Sequence, residues 1–290
     1  MLYLVFSVCC SVLVSVLLKL APRQRLDMAQ VVTWNYLLAG VLSLVLLRPS
    51  LASLQTVHAP WLALLGLAVT LPSIFLVMAR AVTRAGIVRS DVAQRLSLLL
   101  SLAAAFLVFG ETTNGWKLAG LALGLLAIVG ISVRQRAVAA LPSGERAWPW
   151  LLGVWVGYAL VDIMLKQVAL SGTPSMAALT ASFGLAFVLM LALVLWRHVR
   201  GSAALQWRNL GAGALLGLLN FGNILFYVRA HQQLPDSPAV VFAGMNIGVV
   251  VVGTLVGVFA FGERTSAWNR VGLALAVLAI GLIAWGTAAG

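Results

Sequence analysis

Ten stretches of this chain are each about as long and as apolar as a helix that crosses a lipid bilayer. They fall near residues 2–20, 29–47, 60–80, 88–109 and 115–134, and again near 149–169, 175–196, 208–230, 238–261 and 267–287. A hydrocarbon layer about 30 Å thick takes roughly 20 apolar residues to cross as a helix. Lipid offers no partner to an unpaired backbone N–H or C=O, so spans of this length are expected to be helical throughout. Composition agrees: 62% of residues are hydrophobic and 9% charged, against about 25% charged in an ordinary soluble domain. The mean hydropathy is +1.05. A water-facing surface cannot be built from such a chain. The expected class is an all-α integral membrane protein of ten transmembrane helices.

The formal charge of +12 does not signal nucleic acid. The bases sit in short loops between apolar runs, where they set topology and meet anionic lipid. Cys9 and Cys10 are adjacent within an apolar run and suit neither a disulfide framework nor a metal site. The first run lacks a basic start, and Lys19 interrupts the place where a cleavage region would begin. Its "SVLLKLA", residues 15–21, also has a twin in "DIMLKQVA", residues 162–169, with Lys19 matching Lys166. It is read as a retained span.

A longer repeat accompanies this one. "FGETTNGWKLAGLALGLLAI" begins at Phe109 and "FGERTSAWNRVGLALAVLAI" at Phe261. Five crossings separate the copies, and five is odd, so the copies lie on opposite membrane faces. The halves are therefore expected to be inverted five-helix repeats, 1–136 and 149–290, joined by a polar loop at 137–148. Inverted repeats in secondary transporters place a site at their interface near the bilayer midplane. Within each copy, Asn114 or Ser266 is expected to cap a helix, Trp116 or Trp268 to anchor it at the interface, and Gly120 with Gly124 to form a close-packing face.

These features together resemble the EamA-type transporters of the drug/metabolite transporter superfamily. The resemblance covers the whole chain: ten spans in two halves, a Gly-Glu closing the fourth span of each half, and a Gly-rich fifth span after it. It implies a carrier for amino acids or related metabolites, or a drug efflux pump. One departure is the lack of a proline in mid-span four or nine, where many members carry one. That departure weakens any transfer of a helix-kink gate. Twelve bases in odd-numbered loops stand against Arg48 and Lys117 in even-numbered ones. The positive-inside rule then puts odd loops in the cytoplasm and both termini outside, opposite to the usual drawing of relatives. The expected location is the cell (inner) membrane.

Ionisable residues inside a span cost about 2.5–3.5 kcal/mol each on insertion scales, so each needs a reason. Trp155, Tyr158, Asp162 and Lys166 share one face of span six. Span eight repeats the spacing with Asn220, Asn223, Tyr227 and His231. Two such stripes suggest two walls of one cavity, with aromatic surface to hold a substrate and polar groups to orient it. Asp162 precedes Lys166 by four residues, and Asp91 precedes Arg95 by four, the favourable order for an ion pair on a helix. The readings that stand are that each pair neutralises itself, that a pair opens to bind a carboxylate or phosphate through Lys166 or Arg95, or that Asp162 exchanges a proton during the cycle. Lys19 is either a ligand or a base reaching for the interface. Gln94 and Asn246 hold corresponding places in spans four and nine and suit either a cavity lining or an interhelical hydrogen bond. Thr33, Tyr36, Gly40 and Ser43 are read as a packing face of span two.

No zinc, nucleophile-elbow or phosphate-loop motif is present, so no cofactor, metal or catalytic residue is assigned. The expectation is a secondary carrier for a small organic metabolite, amino acid-like or an organic anion or zwitterion, working in export by alternating access. A broad drug carrier, a non-transporting membrane protein and an intramembrane enzyme are the alternatives. The partners expected are a small-molecule substrate and membrane lipid.

Overall fold

The computed structural model describes residues 2–55, 60–107, 114–132, 147–234 and 238–288. Several sequence expectations fall outside them: the first Phe-Gly-Glu (109–111), His58, the bases at 134, 136 and 146, and most of the connecting loop 137–148. The described residues form helices and no strands. In chain order they are α1 (Leu2–Leu20), α2 (Met28–Leu42), α3 (Trp61–Ala85), α4 (Ile87–Leu96), α5 (Leu98–Leu107) and α6 (Gly115–Ser132). There follow α7 (Trp148–Leu170), α8 (Ser175–Val199), α9 (Trp207–Gln233), α10 (Pro238–Phe261) and α11 (Ala267–Ala288). A π-helical turn, Ser43–Leu47, prolongs α2. Among the described residues, eight helices are long and apolar enough to cross a membrane: α1, α2 with its π turn, α3, and α7 to α11. The outward faces are apolar as lipid requires, with Leu62 88%, Val199 85% and Phe259 82% exposed.

The expected fourth span is not one helix. It breaks at Ser97 into α4 and α5, without the proline that usually explains such a break. The Ser97 hydroxyl donates to the carbonyl of Gln94 at 2.7 Å, and the Leu100 N–H turns to the carbonyl of Ser97 at 3.0 Å. This local back-bonding competes with the regular helical ladder. The Trp155 indole N–H of α7 donates to the carbonyl of Leu96 at 2.9 Å. A side chain from a neighbouring helix thus satisfies backbone in the membrane interior, as irregular structure there demands.

α6 lies along α11, α9 packs between α1 and α2, α3 packs between α7 and α8, and α4 meets both α10 and α7. The α6–α11 seam is tight, since a Cβ on Gly120 would stand 2.6 Å from Ile283; Gly124 instead lets α5 approach, a Cβ on it standing 2.5 Å from Leu99. Both expected caps form. Lys117 N–H donates to Asn114 Oδ1 at 3.0 Å, and Asn269 N–H to Ser266 Oγ at 3.1 Å. In the second copy Asn269 Oδ1 also accepts from Ser266 N–H at 3.3 Å, closing a reciprocal capping box. Trp116 and Trp268 are 51% and 65% exposed, as interfacial anchors should be.

The second Phe-Gly-Glu is a structural knot. Gly262 at φ +62° turns the chain off α10, and Glu263 reaches back to the start of α4. Its carboxylate accepts from the N–H groups of Ile87 at 2.7 Å and Val88 at 3.1 Å. An acid there meets both the unpaired N–H groups and the positive end of the helix dipole. Gly86, at φ +91°, opens the space, since a Cβ on it would lie 2.6 Å from Glu263 Oε2. Lys19, at the end of α1, pairs with the same carboxylate and lies over the Phe261 ring at 4.8 Å.

Candidate functional site

A cavity of about 140 Å³ lies where α1, α2, α3, α4, α7, α8 and α9 meet. Its polar lining is Ser11 and Ser15 of α1, Tyr36 of α2, Gln94 of α4, Tyr158 of α7, and Asn220 with Asn223 of α9; Phe75 and Phe183 supply aromatic walls. The two stripes anticipated on α7 and α9 therefore reach one space through Tyr158, Asn220 and Asn223. Around it, Ser7 Oγ donates to Asn223 Oδ1 at 2.8 Å, and Asn220 Nδ2 donates to Asn35 Oδ1 at 3.3 Å. The Tyr36 hydroxyl is buried and has no hydrogen-bond partner. On α2 the face read as packing divides: Ser43 and Thr180 share a hydrogen bond, whereas Tyr36 looks into the cavity.

Arg95 stands one step behind the lining. Its Nη2 donates to Ser11 Oγ at 2.9 Å and its Nη1 to Asn246 Oδ1 at 3.4 Å, while Nε is buried without a partner. Tyr158, Tyr227, Asp91 and Asp162 all act electrostatically on the guanidinium. Asn246 is anchored by its own amide to the carbonyl of Phe242 at 2.9 Å, so it positions Arg95 and does not line the space. Asp91 is 1% exposed and takes a hydrogen bond from Ser15 Oγ at 2.7 Å. Asp162 is exposed on α7, its Oδ2 accepting from Ser101 Oγ of α5 at 2.8 Å.

The other anticipated residues lie apart from the cavity lining. Trp155 spends its N–H on Leu96, and Lys19 is engaged by Glu263. Tyr227 packs edge-on against His231, with ring centroids 4.7 Å apart, and joins the apolar contact between α1 and α10. Lys166 sits half-buried near the end of α7.

Sequence reasoning missed the polar ladder of α1. Ser7, Ser11, Ser15 and Lys19 recur every four residues and meet Asn223, Arg95, Asp91 and Glu263 in turn. The signal was a period of four ending in a recognised lysine. Serines in an apolar helix read as small packing residues, so the period went unweighed.

Residues 1–133 match the EamA-like transporter family. An uncharacterized protein of Haemophilus influenzae is 40% identical over 291 residues, which covers 96% of this chain and 95% of that protein. A protein known from a crystal structure superposes with a TM-score of 0.55 at 18% identity, covering 96% of this chain and 95% of the other. At that identity the likeness speaks to the fold alone.

Proposed function

The chain belongs to the EamA-like transporter family, and on that premise we propose that it is a secondary carrier. It moves a small organic metabolite across the cell membrane by alternating access. In this reading α4 and α5 form one interrupted span, and ten spans make two inverted halves, one on each side of the 137–148 connection. The packing supports that layout. α1 meets α9 as α7 meets α3; α1 meets α10 as α7 meets α4; α2 meets α9 as α8 meets α3. Contacts of α2 with α8, α4 with α10 and α6 with α11 join spans that correspond. A two-fold axis in the membrane plane generates such a set.

The observation that carries the function is the cavity itself, enclosed by helices of both halves and lined by hydroxyls, amides and aromatic rings. A rocking of one half on the other would open it to each side in turn. Its volume of about 140 Å³ lies well below the roughly 300–1,000 Å³ of drug-sized sites, which favours a compact metabolite over a bulky drug. Arg95 behind the lining favours a substrate with a carboxylate or phosphate, including a zwitterion such as an amino acid. The direction is export, with the basic odd-numbered loops in the cytoplasm and the substrate and membrane lipid as partners.

Counterflow in proteoliposomes tests the reading. Vesicles are preloaded singly with amino acids, organic acids, nucleosides or a cationic dye, and entry of the labelled compound is followed. Stimulated entry of an anionic or zwitterionic compound, weakened at least about tenfold in affinity by R95Q, is expected, since hydrogen bonds to a charged group are worth about 1.5–3 kcal/mol. Stimulation by the dye alone would replace this reading with the drug carrier. Stimulation by nothing in the panel, with folded protein, would overturn it.

A further inference from the structure

Asp91 has an environment that its neighbours do not account for. It is 1% exposed, in the middle of the helix packing. One carboxylate oxygen takes a single hydrogen bond, from Ser15 at 2.7 Å; the other, Oδ2, is buried with no partner. A charge held so far from water needs a matched counter-charge and full hydrogen bonding. Its natural partner, Arg95, lies one turn further along α4, but Arg95 gives hydrogen bonds to Ser11 and Asn246 and keeps Nε unpartnered. Two incompletely satisfied ionisable groups thus stand side by side behind one cavity wall. Ser11 and Ser15, the residues touching them, both line that cavity.

The space around Oδ2 limits what can occupy it. The oxygen lies 2.5 Å from where a Cβ on Gly253 would sit, so the backbone of α10 closes directly over it. A metal ion does not fit there, because it would need several oxygen ligands at about 2.0–2.6 Å; a proton carried on Oδ1, toward Ser15, needs no such room. The other charged or titratable groups acting on Asp91 are Arg95 on its own helix, Glu263 at the end of α10 and Tyr158 of α7. Lys19 of α1 is taken by Glu263.

We propose that Asp91 is a proton-binding site, reached from the cavity through Ser15, and that it is linked to anion binding at Arg95. The transfer conserves every atom. A hydronium in the cavity gives a proton to Ser15 Oγ, leaving water, as Ser15 passes its own proton to Asp91 Oδ1, and release to a cavity water runs in reverse. The linkage follows from charge. While Arg95 has no anion, the Asp91 carboxylate is its counter-charge. When a substrate carboxylate takes that role, the neutral acid becomes the better neighbour. Proton and anion then favour each other's binding by the same factor, as reciprocity requires. The linkage, though not the proton site, rests on the carrier reading.

Infrared difference spectroscopy of the full chain in lipid nanodiscs, titrated from acid to alkaline pH without added substrate, tests the site. The wild type is expected to show a protonated-carboxyl stretch that disappears on titration. D91N should lack that band, and D162N should keep it. S15A should retain the band at a shifted frequency, because the acid has lost its one hydrogen-bond partner, and a merely structural serine would not move it. G253A, which crowds Oδ2, should shift it too, so the test survives if D91N fails to fold. A titrating band untouched by D91N, S15A and G253A would overturn the proposal. So would one abolished by sodium chloride at constant pH, which would make the site a metal site. Failure of counterflow would remove the carrier reading and leave the infrared result standing.

Discussion

α1 and α7 carry the two copies of one short motif, and the difference between them is instructive. Register set by Lys19 and Lys166 puts Ser15 opposite Asp162 and Ser11 opposite Tyr158. Both helices bond to the broken α4–α5 segment through a hydroxyl and a carboxylate, with the parts exchanged. α1 brings the hydroxyl of Ser15 to Asp91 of α4, and α7 brings Asp162 to the hydroxyl of Ser101 of α5. The hydrogen bonds are nearly equal in length, 2.7 and 2.8 Å, but their settings are opposite. Asp91 is sealed inside, whereas Asp162 is exposed. Repetition has kept the joint and exchanged its parts, the acid coming from α4 in one copy and from α7 in the other.

The largest effect expected lies at the end of the α1 ladder. K19M takes the ammonium from the Glu263 carboxylate, a loss of about 3 kcal/mol, at the low end for a buried pair because the Ile87 and Val88 N–H groups and the charge of Arg89 remain. Thermal unfolding in nanodiscs would show it, and adding E263Q should restore part of it. An unchanged midpoint would mean that α1 is not tied to α4 and α10 in this way.

Next comes the comparison itself. S15A should destabilise by about 1.5–3 kcal/mol, because it strips a buried carboxylate of its donor, whereas S101A should stay below about 1 kcal/mol. Equal losses would erase the contrast between the two acids. W155F should lose about 1 kcal/mol by leaving the Leu96 carbonyl unsatisfied, with amide exchange rising at the break. The smallest effects concern the two caps. N114A and S266A should each lose about 1 kcal/mol, with N114A the larger because Asn114 also donates to the carbonyl of Gly286 at 2.7 Å. The reverse order would show that the reciprocal box around Ser266 outweighs that contact.

How much of this was legible in the sequence follows from which signals are local. Eight of the spans, the caps and the Gly120 seam are written in neighbouring residues, and they read correctly. The cavity walls were half legible. Tyr158, Asn220 and Asn223 line it on the faces their helical spacing picked out, because a period along one helix fixes one face, and Gln94 lines it from a place singled out by the repeat. Which helix that face meets is a tertiary fact. Nothing near Trp155 in the sequence announces a carbonyl freed at Leu96. Nothing near Lys19 announces a carboxylate on the far side of the chain. The break at Ser97 was hidden for a related reason. A serine can hydrogen-bond its own helix or leave it alone, and only the partner that rescues the freed carbonyl decides the outcome.

The Lys19–Glu263 contact joins residues 244 positions apart, nearly the two ends of the molecule, and this has a consequence for how the chain is made. Lys19 enters the membrane early in synthesis and the N–H groups of Ile87 and Val88 soon after, while the carboxylate that serves all three emerges only once α10 has been completed. Until then a lysine and an uncapped helix start stand in the bilayer without their counterpart. The nascent first half thus lacks this contact until α10 is in place, and α11 is still to be added when the knot can close.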